Sequence, residues 1–334
     1  MKWTGLLIVL RLLHSCATRP LSVKKAKRLN EQVWVVTGAS SGLGRGIALA
    51  AAKSKARVVL VARGEQALRE VAKEIEAMGG TSMVFPADIS DTGAMKALMA
   101  ATIREWGRVD VWVNNAGVTV FGNYWETPLA EHQRVIDVNL KGTMSTSYIV
   151  LKQFIVQDRG MLINIVSAES RLPTPYQAAY ATTKAGLKSF GIVLRQELRL
   201  SKHKEIVISS VDPWALNTPI WDNAANHSRH APRMGMMDRT AKAVNAVMHT
   251  AAAGKNRDIA VGWKTHAAYT VHRIAPNLSY RIAANIVHKH QIKQSPPATA
   301  SSGNLFRPSS SHAVETDIKE RMKKERKRSK QKHK

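Results

Sequence analysis

From Val33 onward, short runs rich in β-branched residues alternate with longer stretches whose apolar positions recur every three or four residues. The runs Val33 to Thr37, Arg57 to Ala62, Ser82 to Pro86, Val109 to Asn114, Met161 to Ser167, Ile206 to Val211 and Asp258 to Val261 predict seven strands. Gly64 to Met78, Asp91 to Trp106, Glu131 to Gln157 and Ala179 to Leu200 have helical length and period. This alternation predicts an α/β fold: a doubly wound parallel sheet of seven strands with helices on both faces.

Beyond the last strand the pattern changes. Trp263 to Gln291 reads as two short helices divided near Pro276, with Val271, Ile274, Leu278, Ile282, Ile286 and Val287 in apolar stripes flanked by Arg273, Arg281, His288 and Lys289. They are expected to cap their own domain, with docking on a membrane surface as the alternative. Residues 293–314, rich in Ser, Pro and Ala, predict a disordered linker before a basic tail. The chain therefore divides into a basic segment over 1–29, an α/β domain over 30–262, a helical extension over 263–292, and a linker with tail over 293–334.

Composition narrows the partners. Of the formal charge of +26, the segments 1–30 and 319–334 carry 15, so the surplus lies at the ends and not over the domain. The tail has no interleaved aromatics for base stacking, and nucleic acid is not the expected partner. The apolar run Leu6 to Leu13 is interrupted by Arg11 and falls short of the roughly 20 residues a spanning helix needs. It is also a poor export signal, because Arg11 and His14 sit badly in one. A cytoplasmic protein is expected, with peripheral membrane anchoring through residues 1–29 left open. The single cysteine, Cys16, excludes an intramolecular disulfide and a cysteine-rich zinc site. His227, His230 and His249 have no metal-site spacing, so no metal is expected.

The candidate chemistry begins at the first strand, which runs into Thr37-Gly38-Ala39-Ser40-Ser41-Gly42-Leu43-Gly44. A glycine-rich turn between strand and helix lets backbone amides and the positive helix end approach a pyrophosphate. The second strand ends in Ala62-Arg63, where a binder of a free ribose 2′-hydroxyl usually carries an acid. Arg63, helped by Arg45, suits a 2′-phosphate instead, which predicts NADP(H). Tyr180 and Lys184 are one helical turn apart on a shared face. A neighbouring ammonium together with an oxidised nicotinamide favours the phenolate, and bringing a phenol from about 10 to about 7 requires roughly 4 kcal/mol, hence a sheltered lysine.

These motifs resemble the short-chain dehydrogenase/reductase family over residues 30–262, with its TGxxxGxG and YxxxK patterns in order. The resemblance implies a Rossmann-type fold and an oxidoreductase that interconverts a carbonyl and an alcohol. It implies that Asp88 contacts the adenine, that Asn115, Ala116 and Gly117 close the fourth strand beside the cofactor, and that Thr218 binds the carboxamide. It implies a catalytic tetrad of Asn139, Ser167, Tyr180 and Lys184: Ser167 holds the substrate oxygen, Tyr180 exchanges its proton, Lys184 tunes Tyr180 and binds the ribose, and Asn139 holds a water. It further implies a homo-oligomer assembled through the helices carrying Asn139 and Tyr180.

One stretch departs from the family. Trp214 stands where a glycine is usual, as it does in similar bacterial members of unassigned specificity. The substrate is expected to be a small, predominantly apolar carbonyl or alcohol, met by Trp125, Tyr176 and Trp214, with Pro173, Trp221, Met234, Met236 and Met237 nearby. The competing reading is an NADP-binding regulatory or scaffold protein whose basic ends touch nucleic acid or anionic lipid. Such a protein would not need Ser167, Tyr180 and Lys184.

Overall fold

The computed structural model describes residues 18–309 and 312–332. The apolar run at Leu6 to Leu13 and most of the expected anchor lie outside the described residues. Seven strands form one parallel sheet: β1 (Val33–Thr37), β2 (Arg57–Ala62), β3 (Thr81–Pro86), β4 (Val111–Asn114), β5 (Gly160–Ile165), β6 (Ile206–Asp212) and β7 (Arg257–Ala260). Their order is β3-β2-β1-β4-β5-β6-β7. The winding reverses between β1 and β4, which opens a crevice at the carboxyl ends of the strands.

Both faces of the sheet are covered because successive strand residues are apolar in both directions. Trp34, Val36, Val58 and Leu60 face one layer, with α1 (Gly42–Lys53), α2 (Glu65–Ala77) and α7 (Thr240–Ala253). Val35, Val59, Trp112 and Leu162 face the other, with α3 (Thr92–Trp106), α5 (Thr143–Val156) and α6 (Ala178–Leu200). Buried Asn114 ties the layers: its amide donates to Ser147 Oγ at 3.0 Å and Asn164 Oδ1 at 2.9 Å.

Several expectations are corrected. The single helix expected over Glu131 to Gln157 is α4 (Leu129–Ile136), a wide π-turn over Asp137–Gly142, and then α5. Gly142 lies so close to the chain after β3 that a Cβ would stand 3.0 Å from the Ile89 carbonyl, and Asn139 in the wide turn reaches the backbone of Val118. The fourth strand begins at Val111, not Val109, because the Asp110 carboxylate takes the Val33 amide at 2.9 Å. The fifth stops at Ile165, two residues before Ser167.

The helical extension comprises α8 (Gly262–Ile274) and α9 (Pro276–His288), with Pro276 at the first position of α9, where its missing N–H costs nothing. Among the described residues no helix is long and apolar enough to cross a membrane.

The disordered linker expected over 293–314 is replaced, where described, by an ordered strap. Leu305 is fully buried against the Val59 layer. Ser301 and Asn226 exchange backbone hydrogen bonds of 2.7 and 3.0 Å, and Gly303 takes a left-handed φ of 48° where a Cβ would lie 2.3 Å from the Asn223 carbonyl. The tail then forms α10 (Ile318–Lys332), with Ile318 and Met322 packed beside Trp221 and Met237. Low mean hydropathy hid these anchors, since two or three buried side chains can fix a segment that is otherwise polar.

Candidate active site

The glycine-rich loop leaves β1 at Thr37, whose side chain organises the neighbouring strand end. Thr37 Oγ1 accepts from the amides of Asn115 at 2.9 Å and Ala116 at 3.1 Å, and donates to the Val113 carbonyl at 3.1 Å. Asn115 Nδ2 returns a 2.9 Å bond to the Thr37 carbonyl. Gly38 has φ 69°, and a Cβ there would stand 2.8 Å from the Asn115 amide; at Gly44 it would stand 2.1 Å from the Gly38 carbonyl. No side chain fits at either position, so the loop folds tightly and leaves a backbone-lined cradle at the start of α1. Such a cradle suits the pyrophosphate of a dinucleotide.

The cradle opens into a cavity of about 480 Å³ that also reaches the catalytic candidates. The end nearest the glycine loop is lined by Gly38, Ser40, Ser41, Gly42 and Leu43, by Arg63 and Asp88, and by Asn115, Ala116 and Gly117. Its other end holds Ser167, Tyr180, Lys184, Trp214 and Thr218. Thr37 and Gly44 support this wall from behind.

Ser167 follows β5 and caps the short turn Ala168–Ser170, its Oγ accepting from the Glu169 amide at 3.2 Å. Tyr180 and Lys184 project from the first turns of α6. Ser167 stands close enough to the Tyr180 phenol to favour its charged form. Lys184 Nζ donates to the Ile165 carbonyl at 2.9 Å, which fixes it beneath the end of β5. Asn139 is fully buried; its Oδ1 accepts from Val118 N at 2.8 Å, and its Nδ2 donates to Val118 O at 2.9 Å and Thr183 Oγ1 at 3.4 Å. It braces the chain after β4 against the residue preceding Lys184, without lining the cavity.

Burial, and then the charge of Glu169, push the Tyr180 phenol well above its ordinary value, against a smaller opposing effect of the Ser167 hydroxyl. Burial brings Lys184 down to about 8. The bare cleft therefore keeps the proton on Tyr180, and lowering towards 7 is not a property of the protein alone. The positive charge of an oxidised nicotinamide would act in the opposite sense.

Beside the tip of β2, Asp88 accepts from Ser90 N at 3.0 Å and Ser90 Oγ at 2.7 Å, and pairs with Arg134. Burial pushes its carboxyl up, but these bonds outweigh it and hold the group below the usual range. Arg63 is not a free guanidinium at a strand tip. Its Nη1 donates to the Leu305 carbonyl at 2.7 Å and its Nη2 to the Asn304 carbonyl at 2.6 Å, with Asp88 4.0 Å away. The strap continues past the cradle: Gly42 N donates to the Ala313 carbonyl at 2.8 Å and Arg45 Nη1 to the His312 carbonyl at 2.6 Å.

Two expected pocket residues are not brought to the cavity. Trp125 is 81% exposed on the surface. Tyr176, with φ 70°, turns its hydroxyl to His288 Nδ1 at 2.6 Å and so pins α9 to the domain. Trp214 does line the cavity, and so do Trp221, Met234 and Met236, whereas Met237 is core. Pro173 does not line it, although its neighbours Leu172 and Thr174 do. The histidines are occupied singly: His227 with Glu131 at 2.9 Å, His230 with the Ser295 carbonyl at 3.2 Å and His249 with the Arg19 carbonyl at 3.0 Å.

Sequence reasoning missed Glu169, Gln177 and the inner faces of α8 and α9, where Val271, Ile282 and Ile286 wall the substrate end. The stripes on α8 and α9 were visible, but nothing in the chain said that they faced this cleft.

A glycine cradle at the switch point of a parallel sheet, opening onto a serine, a tyrosine and a lysine, defines a dinucleotide-dependent oxidoreductase acting on a small molecule. Residues 32–229 match the family model described as short chain dehydrogenase, and the chain belongs to that family. An uncharacterized oxidoreductase, YxnA, of Bacillus subtilis is 29% identical over 274 residues, which span 81% of this chain and 77% of that protein. Dehydrogenase/reductase SDR family member 7B of Danio rerio is 28% identical over 304 residues, 87% of this chain and 94% of its own. A crystal structure of a short-chain type dehydrogenase/reductase from Mycobacterium marinum superposes with a TM-score of 0.65 at 27% identity, covering 73% of this chain and 99% of that one.

Proposed function

We propose that this protein moves a hydride between NADP(H) and a small, largely apolar carbonyl or alcohol, with Tyr180 as the group that gives or takes the proton. The observation that carries this reading is the convergence of Ser167, Tyr180 and Lys184 on the cavity that also contains the glycine cradle. When bound, the nicotinamide supplies or accepts the hydride. In the reductive direction, Ser167 Oγ donates a hydrogen bond to the substrate oxygen and holds the carbonyl carbon in place. Tyr180 then delivers its proton to that oxygen as negative charge develops on it. Lys184 stabilises the tyrosinate left behind until a proton returns from solvent.

Arg63 supports NADP(H) over NAD(H). It is the guanidinium at the end of β2, half-buried and close to Asp88, and Ala62 before it offers no carboxylate for a ribose 2′-hydroxyl. The apolar walls supplied by Trp214, Val271, Ile282 and Ile286 support a substrate with a substantial hydrocarbon part. The scaffold reading is not favoured, since it leaves the Ser167, Tyr180 and Lys184 arrangement without a task. A homo-oligomer built through the helices carrying Asn139 and Tyr180, as the family resemblance implies, and a peripheral membrane contact through the basic N-terminal segment are further parts of the proposal.

The test is a fluorescence titration with NADPH and NADH, followed by a turnover screen of ketones, aldehydes and the matching alcohols. Tight NADPH binding with reduction of at least one carbonyl class supports the reading. Absence of binding to either dinucleotide overturns it.

A further inference from the structure

We propose that Glu169 is a specificity-determining residue: its carboxylate receives a hydrogen-bond donor, a hydroxyl or an ammonium, carried by the substrate apart from the reacting carbonyl. This rests on the hydride-transfer reading above and adds to it the class of substrate.

Glu169 belongs to the turn that Ser167 caps, so its backbone is fixed two residues from the hydroxyl expected to hold the carbonyl oxygen. It lines the same cavity as Ser167 and Tyr180. Its two oxygens are treated differently. Oε1 accepts from Thr174 Oγ1 at 2.8 Å and Gln177 Nε2 at 3.0 Å, and Gln177 Oε1 in turn accepts from Thr119 Oγ1 at 3.2 Å. Oε2 is buried and has no partner.

A carboxyl kept only to staple the loop after β5 would need Oε1 alone. An amide or a hydroxyl at this position would make such a staple without burying a charge. An ionised oxygen left unsatisfied in an apolar cavity costs several times what a neutral one does. Retaining it is understandable if a donor arrives with the substrate, because a charge-assisted bond in a dry cleft is strong and selective. The apolar lining residues Leu172, Val271, Ile282 and Ile286 bring no donor of their own. Trp214 Nε1 is a second buried, unpartnered atom of the same cavity, and it is a donor. The substrate end thus offers one unfilled acceptor and one unfilled donor inside hydrocarbon walls, which matches a ring or chain bearing a polar substituent.

The test compares ketones that differ only at this substituent: cyclohexanone carrying a methyl, a hydroxyl or an amino group at position 3 or 4, reduced with NADPH by the full-length protein at pH 8, above the value of about 7 to which burial pushes Glu169. The expected result is a KM at least tenfold lower for a donor-bearing ketone than for its methyl counterpart, with kcat changed far less. Glu169→Gln keeps an oxygen for Thr174 and Gln177 but presents an N–H where Oε2 stood. It should therefore lower kcat/KM for the donor-bearing ketone at least tenfold more than for the methyl ketone. Equal KM values across the set, or equal losses for both ketones in E169Q, would overturn the assignment and leave Glu169 a loop staple. Failure of every ketone to be reduced would instead overturn the hydride-transfer reading on which the assignment rests.

Discussion

Lys184 Nζ lies 5.5 Å from the centroid of the Tyr180 ring, with both side chains enclosed at the end of β5. The enclosure acts in opposite senses on the two groups, because burial disfavours whichever form is charged. Tyr180 holds its proton more firmly than a free phenol does, while Lys184, brought to about 8, loses its charge earlier than a free amine.

A pH dependence follows for carbonyl reduction. Below pH 8 the pair is phenol plus ammonium, the state suited to giving a proton and stabilising what remains. Above about 8 the ammonium is lost while the phenol stays protonated, so kcat should fall on the alkaline side through Lys184 and not through Tyr180. Lys184→Met should lower kcat by about 100-fold, within the range of a lost charge stabiliser, and should remove that alkaline limb. The check is a kcat profile at saturating NADPH over pH 6 to 10. A limb that survives in the methionine variant would contradict the assignment.

Glu169 makes stability depend on pH. Its carboxyl is pushed up from 4.5 to about 7 by burial, against the hydrogen bonds from Thr174 and Gln177. A raised folded-state value means that the protonated form is favoured on folding, so its contribution is full below pH 4.5 and is lost as pH rises through about 7. At 1.36 kcal/mol per unit the swing is about 3 kcal/mol. Urea unfolding of E169Q against the parent should shift by that amount in favour of the variant between pH 4.5 and 7.5. Parallel curves over this window would show that the carboxyl is not titrating there.

Arg63 should discriminate between the cofactors. Removing a charge-assisted contact to a 2′-phosphate costs about 1.5–3 kcal/mol, or roughly 10- to 100-fold in affinity. Arg63→Ala should weaken NADPH by this factor and leave NADH nearly unchanged, as read by fluorescence titration. Equal weakening of both would mean that Arg63 only supports the fold.

The strap carbonyls of Asn304 and Leu305 occupy Arg63, and that of Ala313 occupies the Gly42 amide, so a dinucleotide that used these donors would have to displace the strap. Leu305 is the apolar anchor of the strap, and truncating a buried leucine costs about 2–5 kcal/mol. Leu305→Ala should therefore loosen the strap and tighten NADPH binding. A loss of affinity in a variant that keeps its circular dichroism spectrum would show that the strap clasps bound cofactor.

The sheet was legible because its strands are continuous apolar runs and its helices keep a 3.6-residue period, and the glycine loop because only glycine fits at Gly38 and Gly44. What was hidden depends on contacts between distant segments. The π-turn at Asn139 arises from the approach of Gly142 to Ile89, which no local pattern encodes. The strap reads as disorder because its order rests on Leu305 and a few backbone bonds among polar neighbours. Residue type alone points to Trp125 and Tyr176, yet one faces solvent and the other holds α9. Glu169 sits in an unremarkable Ala-Glu-Ser turn, and the cavity it lines is walled in part by helices about a hundred residues later in the chain.

The proton assignment to Tyr180 is tested most directly by Tyr180→Phe, which keeps the ring and removes only the hydroxyl. Carbonyl reduction by NADPH should fall by about 100- to 10,000-fold, the usual worth of a general acid, with NADPH affinity within a few-fold of the parent. Unimpaired turnover by this variant would contradict the account.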